Sequence, residues 1–327
     1  MPATTGFACF PPAQYEPSVD NLSGKKIAVT GATGFLGRYV VDALLQRGAI
    51  PIGVVRNPDR VPELRAAGVE LRRADLGDLE ALKESFVECD AVASVAAMIS
   101  VGSMYSIRKK QRDAYIRTNV GGIERVLEAA DACGVRRIVH VSSANVYRDR
   151  KAPLREDSPL HDLDEIGLLN NNYSISKAAA ERRACAIAAD RNLSLTILRP
   201  TGIYGANDFN FMHWVRLVLR PPITLWPAGT HLQLVHGADV AEALLLCLEN
   251  ERSIGEAYNV CGGGESLWEF AEAWSQAGGP RARLLIPIPV PVPPLLENRK
   301  IFDELGWKPR DMVTCLRETF AADADPK

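Results

Sequence analysis

In this 327-residue chain a tyrosine is followed four residues later by lysine at Tyr105/Lys109 and at Tyr173/Lys177. On a helix that spacing puts both side chains on one face, so an ammonium would stand beside a phenol. A neighbouring positive charge favours phenolate and would draw a tyrosine pKa of about 10 towards neutrality. A phenol tuned in this way serves as general acid or base for a carbonyl/carbinol pair. The two pairs differ in setting. Tyr173 opens a helical pattern that follows the run Ile138-Val139-His140-Val141-Ser142-Ser143, and the loop between them is placed to wall a cleft. Tyr105/Lys109 lies in the basic run Arg108, Lys109, Lys110 and Arg112, which reads as a solvated helix face. The chemistry is therefore assigned to Tyr173 and Lys177. Ser143, at the C-terminal end of its strand, can donate a hydrogen bond to a developing oxyanion.

A second cluster supplies a reason for such a phenol to be present. Three glycines recur at a spacing of three in Gly31-Ala32-Thr33-Gly34-Phe35-Leu36-Gly37, after the apolar run Lys26-Ile27-Ala28-Val29 and before a helical pattern. A glycine-rich turn between strand and helix lets backbone approach a pyrophosphate, with the helix N-terminus offering N–H donors and a positive dipole end. The context of strand, turn and helix makes this a dinucleotide site rather than a packed turn. NAD sites usually place a carboxylate at the end of the second strand to bind the ribose hydroxyls. This chain has Arg56 there, and a cation suits a ribose 2′-phosphate, so NADP(H) is favoured over NAD(H). Asp75-Leu76, after the third strand, is placed to meet the adenine ring.

The elements that must hold these residues follow from the alternation of apolar strands and amphipathic helices after Lys25. Strands are predicted at 26–30, 51–55, 69–72, 91–95, 137–142, 195–199 and 256–260, with helices near 35–47, 79–87, 103–133 and 170–191. That order predicts an α/β fold with a doubly wound parallel sheet and a smaller C-terminal substrate lobe. Residues 1–24, rich in proline and aromatics, read as an irregular extension. Residues 25–202 read as the dinucleotide-binding domain and 203–327 mainly as the substrate lobe, with 235–260 returning to the sheet. The run from Ile286 to Pro294 reads as extended, PPII-like or an edge strand.

Composition narrows the partners. With 38 basic and 40 acidic residues there is no basic stripe for nucleic acid or an anionic membrane. No apolar run is long enough to span a bilayer, and the first twenty residues lack the layout of a secretory signal. Seven scattered cysteines without a CxxC pair fit reduced thiols in a cytoplasmic protein, with neither a disulfide frame nor a metal site.

Taken together these residues resemble the extended branch of the short-chain dehydrogenase/reductases, the NAD-dependent epimerase/dehydratase family. The resemblance runs from about Lys25 to Trp307. It rests on Thr30–Gly37, Asp75-Leu76, Asn119 in Thr-Asn-Val-Gly-Gly, Ser142–Tyr147, Tyr173–Lys177, Leu198–Gly205, Val235–Val240, Tyr258-Asn-Val and Leu305–Pro309. It implies a Rossmann fold, catalysis by Ser143, Tyr173 and Lys177, and support of the lysine by Asn119. It also implies a cofactor held by Gly31, Thr33, Gly34, Phe35, Leu36, Gly37, Arg56, Asp75, Leu76, Ala96, Tyr173, Lys177 and Pro200. A homodimer through the helices of 103–133 and 170–191 is implied by the same analogy. Two positions depart from the branch: Ser94 stands where a histidine is common, and Arg148 where glycine is usual.

Extended members divide mainly into nucleotide-sugar epimerases or dehydratases and carbonyl reductases or alcohol dehydrogenases. Many nucleotide-sugar enzymes carry an arginine four residues ahead of the histidine matching His236, to grip the diphosphate; here that residue is Leu232. Losing that guanidinium forfeits a charge-assisted bidentate contact. Phe209, Phe211, Met212 and Trp214 read either as an aromatic substrate wall or as the core of the small lobe. The pattern looks closest to 3β-hydroxysteroid dehydrogenase and dihydroflavonol reductase relatives. The expected activity is NAD(P)-dependent interconversion of a carbonyl and an alcohol on a small, fairly apolar substrate. The alternatives are a nucleotide-sugar epimerase/dehydratase and a non-catalytic NADP-binding sensor or scaffold.

Overall fold

The protein is seen in a computed structural model that describes residues 21–99, 109–148, 153–163, 172–208, 223–227, 231–279, 284–288 and 294–324. The strands β1 (Lys26–Thr30), β2 (Ile50–Val55), β3 (Glu70–Arg73), β4 (Ala91–Ser94), β5 (Arg137–Val141) and β6 (Ser194–Pro200) join Ala257–Val260 in one seven-stranded sheet. Every pairing in it is parallel. The apolar runs of β1, β4 and β5 are buried almost throughout, as strands covered on both faces must be. One face is covered by α1 (Phe35–Gln46) and the helix Gly237–Glu249, where Val40, Val41 and Leu44 meet Val240, Leu244 and Leu248. After the short α2 (Pro62–Ala66), the other face is covered by α3 (Leu79–Phe86), α5 (Gly121–Ala132) and α6 (Asn172–Arg191), through Leu82, Phe86, Val126, Leu127, Ala180 and Ala184. The order β3-β2-β1-β4-β5-β6 reverses between β1 and β4, which opens a crevice at their C-terminal ends. This is the doubly wound Rossmann arrangement expected from the alternation.

One helix differs from the expectation. The stretch read as a single helix over 103–133 contains α4 (Lys109–Tyr115), a π-helical segment Ile116–Val120 and α5. Asn119 lies in the π turn with its amide tied to the Met98 backbone: Oδ1 accepts from the Met98 N–H at 2.8 Å and Nδ2 donates to its carbonyl at 3.3 Å. Such turns widen a helix by one residue and recur at functional sites. Apolar periodicity cannot reveal one, because the anchor lies 21 residues away.

Outside the main sheet, Gly202–Tyr204 pairs with Leu234–His236, His231–Leu232 with Glu265–Ser266, and Ile223–Pro227 with Leu284–Ile288. The proline-rich run therefore starts as one strand of a two-stranded ribbon. Phe209, Phe211, Met212 and Trp214, like Tyr105, lie outside the described residues. Cys89, Cys133, Cys247, Cys261 and Cys315 are free thiols.

Two buried histidines predict acid sensitivity. Nδ1 of His236 accepts from the Ala238 N–H at 3.3 Å and from Arg310 at 2.9 Å, so the ring is neutral with its proton on Nε2. Burial, then the Arg310 charge, holds its pKa down to about 4. His140 is also held well below its ordinary value, first by burial and then by Lys177. Below pH ~6.5 the unfolded chain takes up protons that the folded histidines refuse, so stability falls as pH drops from there towards ~4. For His236 alone the loss is on the order of 3 kcal/mol. Urea unfolding at neutral and acid pH measures it, and His236→Asn, which keeps a capping acceptor, is expected to flatten the slope; an unchanged slope would contradict the assignment.

Candidate active site

The turn after β1 is shaped for close backbone approach. Gly31 has φ +72°, and a Cβ there would lie 2.9 Å from Ala96 Cα at the end of β4. Gly37 sits closer still, since a Cβ would fall 2.0 Å from the Gly31 carbonyl oxygen. The Thr30 hydroxyl accepts from the N–H groups of Val95 and Ala96 at 3.2 and 3.3 Å, which ties the two strand ends together under the turn. Gly34 caps α1 without any capping side chain, so the first N–H groups of the helix are left for an outside acceptor. A dinucleotide pyrophosphate fits this cradle on all three counts.

A cavity of about 1330 Å³ extends from this turn. Its lining includes Gly31, Thr33, Gly34, Phe35, Leu36 and Gly37, and also Arg56, Asp75, Leu76, Ala96, Pro200, Ser143, Tyr173 and Lys177. The sequence-predicted residues from β1, β2, β3, β4, β5, β6 and α6 thus meet around one space. Asn119 is buried outside that lining. Arg56 is exposed at the end of β2 and has no ion-pair partner among the described residues. The Asp75 carboxylate accepts from the Gly77 N–H at 2.8 Å, which orders the loop after β3.

Tyr173 opens the buried part of α6, 7% exposed, with its ring edge-on to Tyr115 at 6.5 Å. Its phenol stands near the Ser143 side chain, and both line the cavity. Ser143, two residues past β5, is extended and caps the short 3₁₀ turn Ala144–Val146, its hydroxyl accepting from the Asn145 N–H at 3.2 Å. Lys177, 1% exposed, donates to the Val141 carbonyl at 2.7 Å. Asn119 reaches α6 through Ser176, donating to its hydroxyl at 2.9 Å.

The electrostatics differ from the spacing argument in one respect. Burial pushes the Tyr173 phenol above its ordinary value, and the nearby Ser143 side chain works against that rise. The lysine bears on the phenol less than expected, because its ammonium is turned to the Val141 carbonyl of the neighbouring strand. Burial brings Lys177 down to about 8, opposed by the Glu181 carboxylate. An ammonium has three N–H donors, so one is spent on Val141 and two remain.

Several site residues escaped the sequence reading. His140 on β5 pairs directly with Ser94 on β4, and their side chains meet at 3.0 Å. The imidazole absent at position 94 is thus supplied by the adjacent strand. Glu181 and Arg199 form an ion pair, each fully buried, and Arg199 also donates to the Tyr147 hydroxyl at 2.8 Å. A lone arginine in the apolar strand Ser194–Pro200 was the available signal, since a buried guanidinium demands a partner. Arg148 lines the cavity and makes a loose ion pair with Asp162 at 3.5 Å. Leu232 also lines it, and packs against the cluster of Tyr204, Leu234 and Phe270.

Residues 27–261 match the sequence model of the NAD dependent epimerase/dehydratase family. The chain belongs to that family. Among curated relatives, it is 32% identical over 233 residues to the 4-hydroxy-2-methyl-3-oxo-4-farnesyl-3,4-dihydroquinoline-1-oxide ketoreductase of Stigmatella aurantiaca, spanning 70% of this chain and 66% of the relative. It is 29% identical over 269 residues to a 3 beta-hydroxysteroid dehydrogenase/Delta 5-->4-isomerase of Mycobacterium tuberculosis, spanning 78% and 70%. Cinnamoyl-CoA reductase 1 of Petunia hybrida is 27% identical over 318 residues, 91% of this chain and 92% of that one. Among solved structures, UDP-N-acetylglucosamine 4-epimerase from Bacillus cereus shares the fold at a TM-score of 0.76 and 22% identity, covering 92% of this chain and 100% of that one. Family and relatives together support an NAD(P)-dependent oxidoreductase of the extended short-chain type. Among the described residues of this epimerase/dehydratase family member, no helix is long and apolar enough to cross a membrane.

Proposed function

We propose that this family member interconverts a carbonyl and an alcohol on a small, fairly apolar substrate, with NADP(H) preferred. The observation that carries the reading is the meeting of Ser143, Tyr173 and Lys177 around one cavity that also presents Leu154, Ile203, Leu232, Leu234 and Leu296. Tyr173 exchanges a proton with the substrate oxygen, and Ser143 donates a second hydrogen bond to that oxygen. Lys177 uses its remaining donors to hold the ribose beside the reacting carbon, and Asn119 steadies α6 through Ser176. The bound nicotinamide supplies or accepts the hydride. Residues 25–202 hold the dinucleotide in this proposal, and 203–327 mainly shape the substrate side. The relatives named for a farnesylated quinoline oxide and a hydroxysteroid support an apolar substrate. A cytoplasmic homodimer, paired through α5 and α6, belongs to the same proposal; sedimentation checks the dimer.

Leu232 is the main argument against a nucleotide sugar, because a diphosphate beside it would meet hydrocarbon instead of a guanidinium. The epimerase reading has its own support in MoeE5 with UDP-glucose and NAD, 28% identical at a TM-score of 0.72 over 90% of this chain and 97% of that one. Thermal shift of NADPH-loaded protein against sterols, aromatic ketones and sugar nucleotides separates the two. Stabilisation by the apolar carbonyls is expected; stabilisation by sugar nucleotides alone would reverse the reading.

The cofactor preference rests on Arg56. A charge-assisted contact to the 2′-phosphate contributes ~2 kcal/mol, about 30-fold in affinity. Arg56→Glu is therefore expected to weaken NADPH binding by at least that factor while barely changing NADH. Fluorescence titration of both cofactors measures the ratio, and a constant ratio would refute the preference.

A further inference from the structure

Tyr173, Lys177 and Glu181 follow one another at intervals of four on α6, so they share a helix face. Glu181 is fully buried, and its carboxylate is used on two sides. The Ser142 hydroxyl donates to Oε2 at 2.8 Å, and Arg199 Nε donates to Oε1 at 3.0 Å. Arg199 is in turn fixed by the Tyr147 hydroxyl and the Glu156 carbonyl, both at 2.8 Å. The end of β5 is thus bound to α6 at successive residues, by Val141 to Lys177 and by Ser142 to Glu181, immediately before Ser143.

We propose that Glu181 is a positioning residue for this site: its carboxylate fixes the end of β5 against α6 and serves as the buried counter-charge of Lys177, while Arg199 holds the carboxylate in place. The proposal rests on the reductase reading above and deepens it. A buried ion pair by itself is weak evidence of more than a structural role, but this one also binds the residue beside Ser143 and acts on the lysine. The groups around the ammonium leave Glu181 as its counter-charge. His140 on β5 is neutral, Asn119 in the π turn is neutral, and Tyr173 is a protonated phenol with its pKa raised. Arg199 and Tyr147 lie beyond the carboxylate, bonded to it or to each other. With burial drawing Lys177 down to about 8, Glu181 is what keeps the ammonium charged near neutrality.

The test compares the wild type with Glu181→Gln, and with Glu181→Gln/Arg199→Gln, which removes both buried charges together. Lys177 titration is followed by NMR of lysine carrying ¹³C at Cε, assigned through Lys177→Arg, alongside the pH profile of kcat/KM for ketone reduction. Loss of a buried opposite charge one helical turn away shifts a pKa by about one unit or more. The Lys177 resonance and the alkaline limb are expected to move to lower pH by that amount in both variants, with Glu181→Asp returning them towards wild type. A lowered melting temperature with an unmoved resonance would make the pair purely structural and overturn the proposal. Should neither charge variant fold, Ser142→Ala leaves the ion pair intact and is expected to lower kcat several-fold at unchanged KM, whereas unchanged kcat would overturn the positioning role. A wild type that reduces no carbonyl yet shows the NMR shift on substitution would fault the reductase reading and leave the Glu181 assignment standing.

Discussion

Tyr173→Phe is expected to lower kcat for carbonyl reduction by about a thousandfold, within the range for removing a positioned general acid. The substitution deletes one hydroxyl and keeps the ring, so the edge-on contact with Tyr115 survives. What goes is the hydroxyl near Ser143, the group that would pass a proton to the substrate oxygen. NADPH affinity should hold, because Lys177 keeps its bond to the Val141 carbonyl and the glycine turn lies on another strand. Tyr105→Phe, in the second tyrosine/lysine pair, should be close to neutral. Steady-state kinetics with a cofactor titration read both, and equal losses from the two changes would remove Tyr173 from its role.

The second large effect is expected at Gly37. A Cβ there would lie 2.0 Å from the Gly31 carbonyl oxygen and 2.8 Å from its carbon, and both are backbone atoms that cannot rotate aside. Gly37→Ala must therefore move α1 off the turn. Overpacking of this kind costs about 1–3 kcal/mol, and the same displacement spoils the cradle, so NADPH affinity should fall by roughly ten- to a hundredfold. Gly34→Ala is the comparison. Its Cβ would sit 3.2 Å from the same oxygen, in an ordinary extended conformation, so the unliganded protein should melt close to wild type. Melting curves without cofactor separate the two sites, and equal destabilisation would show that close packing of Gly37 is not what fixes the turn.

These two regions were the legible part of the sequence because their information is local. The glycine spacing sits within one strand and one helix, and Tyr173/Lys177 within one helical turn. The alternation of strands and helices was local in the same sense, and it carried the doubly wound parallel sheet. What could not be read depends on partners distant along the chain. Lys177 turns to Val141, 36 residues away, so the simple picture of an ammonium lowering the phenol pKa gives way to a phenol raised by burial. The Glu181–Arg199 pair joins a helix to a strand, and only the stray arginine in an apolar strand hinted at it. The π turn at Asn119 exists because of a contact with Met98 that no helical periodicity encodes. Ser94 departs from the branch's usual histidine, and the imidazole that meets it, His140, comes from across the strand pair.

In the proposed function, Tyr173, Ser143 and Lys177 serve net carbonyl reduction rather than sugar epimerisation. The most direct measurement is to supply NADPH deuterated at the reactive ring carbon together with apolar ketones, and in parallel with UDP-sugars, then to follow the label by mass spectrometry. Deuterium on the carbinol carbon of an apolar product, with stoichiometric NADP⁺ and none formed by Tyr173→Phe, is the result expected. A chain that interconverts a UDP-sugar with no net consumption of added cofactor, and leaves every apolar ketone unlabelled, would contradict the account.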